Sequence, residues 1–117
     1  MKIEDLRRVI EALPGATGEP NKTVTLYKIM GKMFAIVWPK GDGCVILKCD
    51  PHLADVMREE YAGVGHRSHL DRRFWIAVDL VSDVPDSEIA RLVGHSYDLV
   101  CAGLTRKQKA ELAALAA

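Results

Sequence analysis

The sequence predicts an α+β fold in which an antiparallel sheet carries helices packed on one face. Three observations support it. Runs rich in β-branched and aromatic residues, Thr23–Ile29, Met33–Trp38 and Cys44–Cys49, follow one another with only turn residues between them. Apolar residues recur at helical spacing before and after this block, in Ile3–Leu13, Leu53–Tyr61 and Ile89–Val100. A further strand-like run, Phe74–Leu80, lies between the last two of those segments. The expected order is αβββαβ(β)αα. Residues 1–117 are read as one domain, because a chain of 117 residues can build one core but not two.

Each element has a local reason. In the first helix Ile3, Leu6, Val9, Ile10 and Leu13 share a face opposite Glu4, Arg7, Arg8 and Glu11, and Pro14-Gly15 stops it. Ala16 to Lys22 reads as a polar lead into the sheet. Met30-Gly31 makes a two-residue hairpin loop, with glycine free to take positive φ, and places Tyr27 opposite Phe34 and Lys28 opposite Met33. Pro39-Lys40-Gly41-Asp42-Gly43 is a turn leading to the third strand. Asp50-Pro51 starts the second helix, with aspartate as N-cap and proline at the first helical position; Leu53, Val56, Met57 and Tyr61 mark its apolar face. Ile89, Leu92, Val93, Ser96 and Val100 mark the third helix, which Gly103 ends. Thr105 and Gln108 form a capping box for a short last helix.

Composition narrows the function classes. A hydrophobic fraction of 49% and a charged fraction of 27% are ordinary for a globular protein. No apolar run approaches the ~20 residues of a membrane span. The start, MKIEDLRRVIEALPG, carries acids at helical period, unlike a secretory leader, and three cysteines suit a reducing compartment. The cytoplasm is therefore expected. Sixteen bases balance sixteen acids. A neutral domain gains DNA affinity only by gathering its cations on one face.

The stretch His66–Leu80, HRSHLDRRFWIAVDL, is the main candidate for such a face. It joins a loop with Arg67, His69, Arg72 and Arg73 to a strand with Phe74 and Trp75 at its start. Lys28, Lys32 and Lys48 from the hairpins could extend the basic surface, since arginine forks suit phosphate and Trp75 or Tyr27 could stack on a base if exposed. The alternative is a solvated basic face, its arginines paired to Asp71, Asp79 or Glu60. One of Phe74 and Trp75 must point away from the core if the strand is half buried.

Other chemistry has little support. His66-x-x-His69 could give two metal ligands, but no CxxC or HExxH spacing completes a site, and Cys44 and Cys49 fall on opposite faces of a strand. No metal and no cofactor is expected. Nucleophile and phosphate-loop signatures are absent, so an enzyme is not expected. His95 and Tyr97 read as residues at the rim of the core.

Several segments together resemble the MmcQ/YjbR family of small bacterial proteins. They are Leu13-Pro14-Gly15, Tyr27-Lys28-Ile29 with Gly31-Lys32-Met33-Phe34-Ala35, Leu47-Lys48-Cys49-Asp50-Pro51, His69-Leu70-Asp71-Arg72-Arg73-Phe74-Trp75, Val84-Pro85-Asp86 and His95-Ser96-Tyr97-Asp98-Leu99-Val100. The resemblance implies a CyaY-like or secretion-chaperone-like fold and DNA binding by a double-wing arrangement of hairpins. It would make Lys28 and Lys32 wing lysines, and His69, Arg72 and Arg73 the basic loop, with Lys48 matching the family's lysine before Asp-Pro. Asp71 stands where the family often has a small polar residue, and the segment after Gly15 is short.

The functional expectation is a non-enzymatic protein that binds double-stranded DNA weakly, mainly at phosphates, through Lys28, Lys32, Lys48, Arg67, His69, Arg72, Arg73 and Trp75. The alternative is a protein-interaction or chaperone-like module that holds a peptide or a second copy through the sheet. No membrane partner is expected.

Overall fold

In the computed structural model, which describes residues 1–116, the chain runs α1 (Ile3–Glu11), β1 (Ala16–Asn21), β2 (Val24–Ile29), β3 (Lys32–Trp38), β4 (Cys44–Lys48), α2 (Pro51–Glu60), β5 (Val64–Gly65), β6 (Trp75–Asp79), α3 (Asp86–Ala102) and α4 (Arg106–Ala116). The six strands form one antiparallel sheet in the order β1-β2-β3-β4-β6-β5. Leu6 and Ile10 of α1, Ala54 and Met57 of α2, and Leu92, Val93 and Tyr97 of α3 join Tyr27, Val37, Leu47 and Ile76 in the main core. The α+β architecture with helices on one face is thus observed. No helix among the described residues is long and apolar enough to cross a membrane.

The helix boundaries follow their local chemistry. Asp50 Oδ2 accepts from the backbone N–H of His52 and Leu53, both at 3.1 Å. Thr105 and Gln108 exchange two bonds of 3.0 and 3.1 Å, the reciprocal capping box. On α2 the face differs slightly from expectation: Ala54 is buried, whereas Val56 faces outward.

Two strand details correct the sequence reading. Ala16–Asn21 is a full edge strand, paired from Ala16↔Ile29 to Asn21↔Val24. Nearly all of it is exposed, so no apolar alternation marks it; backbone pairing holds it in place. Gly18 belongs there because a Cβ would lie 2.9 Å from the Tyr27 ring. The second correction is in the β2–β3 hairpin. Lys28 does face Met33 across the Met30-Gly31 turn, but Tyr27 faces Ala35, because a bulge between Tyr27 and Lys28 leaves Phe34 as the extra residue. Phe34 and Ala35 are consequently both buried, and Phe34 meets Tyr97 edge-on at 5.6 Å.

Candidate functional site

Alternation along the strands defines a second sheet face, away from the main core. Cys44, Ile46 and Ala77 form its centre, with Ile36, Trp38, Leu70 and Trp75 packed around them. Cys44 and Cys49 lie on opposite faces, as their spacing implied. Burial raises both thiols to about 11, so both stay protonated near neutrality.

Lys28 and Lys48 both belong to this open face, at the end nearest the β2–β3 turn. Lys28 sits one residue after core-facing Tyr27, and Lys48 one residue after core-facing Leu47. Register places Lys28 opposite Met33 and Lys48 opposite Trp75, so these side chains form a row across the sheet. A buried hydroxyl from α3 fixes that row. The β3–β4 ladder ends at Ala35↔Leu47, and beyond it Ser96 Oγ donates to Phe34 O (2.6 Å) and accepts from Lys48 N–H (2.9 Å). Next to Ser96, His95 Nε2 accepts from Asp50 N–H (3.2 Å) and the Tyr97 hydroxyl donates to Pro14 O (2.6 Å). All three side chains of His95-Ser96-Tyr97 hold backbone.

The loop before β6 is tied by one bond within the loop and by a clamp from α2. His66 Nε2 donates to Leu70 O (2.6 Å), and Arg58 of α2 donates from one nitrogen to Arg72 O (2.7 Å) and Trp75 O (2.9 Å). Arg58 is mostly buried, and its Nε has no partner among the described residues. Asp71 accepts from the Arg73 backbone at 2.9 Å and pairs with its guanidinium at 2.7 Å, which together hold the Asp71 carboxyl near a pKa of about 2.

The predicted site residues therefore separate. Lys28, Lys48 and Trp75 lie toward the hairpin end of their strands, and Arg72 and Arg73 lie in the loop that leads into Trp75. Lys32 is at the turn, but on the helix side, where it donates to Gly103 O at 2.9 Å. Arg67 is at the opposite end, paired with Asp79 at 2.8 Å beside Cys44. His69 is exposed in the loop. Several cations already face acids: Arg67 with Asp79, Arg73 with Asp71, and Lys28 with Glu19 (3.0 Å). Lys48 and Arg72 make no ion pair among the described residues. Tyr27 is fully buried, with its hydroxyl donating to Glu11 at 2.6 Å, and so cannot stack on a base. Of the two neighbouring aromatics, Trp75 is half-buried on the open face; Phe74 precedes the strand, exposed, with the Arg73 guanidinium 5.3 Å from its ring centre. A cleft of about 400 Å³ opens beside them, lined by Lys48, Cys49, Asp50, Pro51, Phe74, Trp75 and Leu99.

Arg58 and the Ser96 hydroxyl were missed by sequence reasoning. A lone arginine on an amphipathic helix looks solvated, and a serine at a core position looks like a small filler; nothing in either spacing announces a buried bond to a distant backbone.

The YjbR family model matches residues 11–99. The chain belongs to the YjbR family. It is 33% identical over 100 residues to an Escherichia coli protein named "Uncharacterized protein YjbR", covering 83% of this chain and 85% of that protein. A Deinococcus radiodurans protein with a DUF419 domain has a crystal structure similar to this one at a TM-score of 0.86 and 26% identity, over 96% of this chain and 88% of that one. A Pseudomonas syringae crystal structure shares the fold at a TM-score of 0.73 and 18% identity, over 85% of this chain and 98% of the other. The family match thus extends across both hairpins, the loop before β6 and most of α3.

Proposed function

We propose that this chain is a non-enzymatic, cytoplasmic nucleic-acid-binding protein that grips phosphate at the hairpin end of the open sheet face. The observation that carries the reading is the placement of Lys28 and Lys48 on one face at this end of the sheet, with Arg72 and Arg73 in the loop that leads into Trp75. The β1–β2 and β2–β3 hairpins would be its two wings. Ion pairs at exposed sites contribute only about 0–1 kcal/mol, so Lys28 and Arg73 can exchange carboxylate for phosphate. Until they do, Glu19 and Asp71 offset much of the local charge, which fits weak, salt-sensitive binding with little base reading. Arg67, paired and remote, falls outside this surface.

The test is fluorescence anisotropy with a labelled generic DNA duplex. Two net phosphate contacts predict roughly a tenfold loss of affinity between about 50 and about 200 mM salt. A Lys48→Ala/Arg72→Ala double variant should bind more weakly and lose most of that salt dependence. Absence of binding at low salt, or a double variant with unaltered affinity and slope, refutes the assignment.

The open face also favours a second reading, a protein-interaction module. Ile36, Trp38 and Trp75 remain half-buried around Ile46 and Ala77 with no helix over them. A concentration-dependent dimer in sedimentation that Ile36→Lys abolishes would support it; a monomer at every concentration would argue against self-association.

A further inference from the structure

We propose that the cleft beside Phe74 and Trp75 takes one unstacked nucleobase, so that the chain prefers single-stranded nucleic acid to duplex. This rests on the nucleic-acid reading above and assigns that surface its ligand class. The cleft's volume of about 400 Å³ lies in the ~300–1,000 Å³ range of small-ligand sites and is far too small for a section of duplex. Its walls suit a planar ring. Trp75 and Phe74 offer aromatic surface, and Pro51 and Leu99 add apolar lining. Lys48, unpaired, is directly across the strand from Trp75 and can meet the phosphate of the same nucleotide. The Arg73 guanidinium, held by Asp71, lies 5.3 Å from the Phe74 ring centre, so this ring already accepts a flat cationic partner.

The site does not depend on the start of α2. Asp50 caps that terminus and also lines the cleft, so Lys48 is the cation there that attracts a phosphate, against the Asp50 carboxylate. Recognition of a base by stacking requires its face to be free, and in a duplex both faces are covered by neighbours. Aromatic stacking contributes a factor of about ten to one hundred per base, on top of the phosphate contacts that both forms share. No helix on this surface is needed to enter a groove.

The experiment uses the full chain with Trp38→Phe, leaving Trp75 as the remaining tryptophan of the two in the sequence. The probes are a mixed-sequence single-stranded oligonucleotide, the same strand annealed to its complement, and an abasic strand of equal length. The single strand should bind about tenfold or more tighter than the duplex and quench Trp75. The abasic strand should bind no better than the duplex and leave the fluorescence unchanged. Phe74→Ala, at an exposed position, should lower single-strand affinity roughly tenfold. Equal affinity for single strand and duplex, without quenching, would overturn the base cleft while leaving phosphate binding intact. If none of the three probes binds at low salt, both readings fall.

Discussion

Replacing Ser96 by alanine tests the idea that one buried hydroxyl holds the end of the sheet and the lysine next to it. Ser96 is completely buried, and its oxygen joins Phe34 O to Lys48 N–H at 2.6 and 2.9 Å. Alanine keeps the helix and most of the volume, but leaves a carbonyl and an N–H without a partner at a place water cannot easily reach. Each such group costs about 1–3 kcal/mol, and the gain in helix propensity returns only a few tenths. Taking each of the two groups in the lower half of that range, a net loss of about 2–3 kcal/mol follows, a large share of the ~5–15 kcal/mol that holds a domain together. At an unfolding entropy of ~2.1 cal/mol/K per residue, that lowers Tm by roughly 10 °C. Urea and thermal unfolding read the magnitude, and amide hydrogen exchange reads the location: the Lys48 amide should lose protection more than amides in the middle of β4. A loss under about 0.5 kcal/mol, with Lys48 protection unchanged, would show that the hydroxyl is not the bridge.

Two further predictions concern the loops. Asp83 accepts from Ala62 N–H and Gly63 N–H, both at 2.8 Å, and these bonds lower its pKa. A carboxylate with a depressed folded pKa stabilises fully above its unfolded value of ~3.9 and loses that contribution as pH falls through the folded value. Asp83→Asn, with one acceptor oxygen in place of two, should therefore lower Tm at neutral pH and differ little from wild type at pH ~2; an equal difference at both pH values would contradict the assignment. At the β1–β2 turn, Lys22 holds a φ of 57°, in the left-handed region. Lys22→Gly should stabilise by about 0.5–1 kcal/mol in urea, since relief of the side-chain clash outweighs the flexibility added to the unfolded chain; destabilisation would mean that the lysine side chain contributes contacts of its own.

What could be read from the sequence was whatever repeats at a fixed spacing or lies close along the chain. The faces of α1 and α3, the Asp50 cap, the Thr105–Gln108 box and the Met30-Gly31 turn all depend on residues within a few positions of one another. β1 was not legible because an edge strand exposed on nearly all its length needs no apolar pattern. The Tyr27–Phe34 register failed for another reason: a bulge inserts a residue without altering local composition. In the candidate site, the cation cluster was legible, and so were two of its acids: the alternative that paired the arginines to Asp71, Asp79 or Glu60 is met by Arg73 with Asp71 and Arg67 with Asp79, but not by Glu60. Lys28 with Glu19 was not legible, because it depends on which strands become neighbours. The clamp from Arg58 to Arg72 O and Trp75 O is a long-range bond to backbone, which carries no residue-type signal at its far end.

The same pairings make the salt dependence of binding more informative than its affinity. At the hairpin end of the open face, four cations, Lys28, Lys48, Arg72 and Arg73, share the surface with two acids, Glu19 and Asp71. If Lys28 and Arg73 keep their carboxylates when nucleic acid arrives, only Lys48 and Arg72 displace counterions, and log K falls with log salt at a slope of about −2. If all four turn to phosphate, the slope approaches about −4, and Glu19 and Asp71 are left near the bound backbone as a repulsive pair. Asp71 is the less willing to release its partner, because it holds Arg73 through both the backbone N–H and the guanidinium. Replacing Asp71 with serine would free Arg73. It would also remove one repulsive charge. Both changes act in the same direction, so on the proposed reading Asp71→Ser should bind nucleic acid more tightly than wild type, and unchanged affinity would count against a role for Arg73 at phosphate.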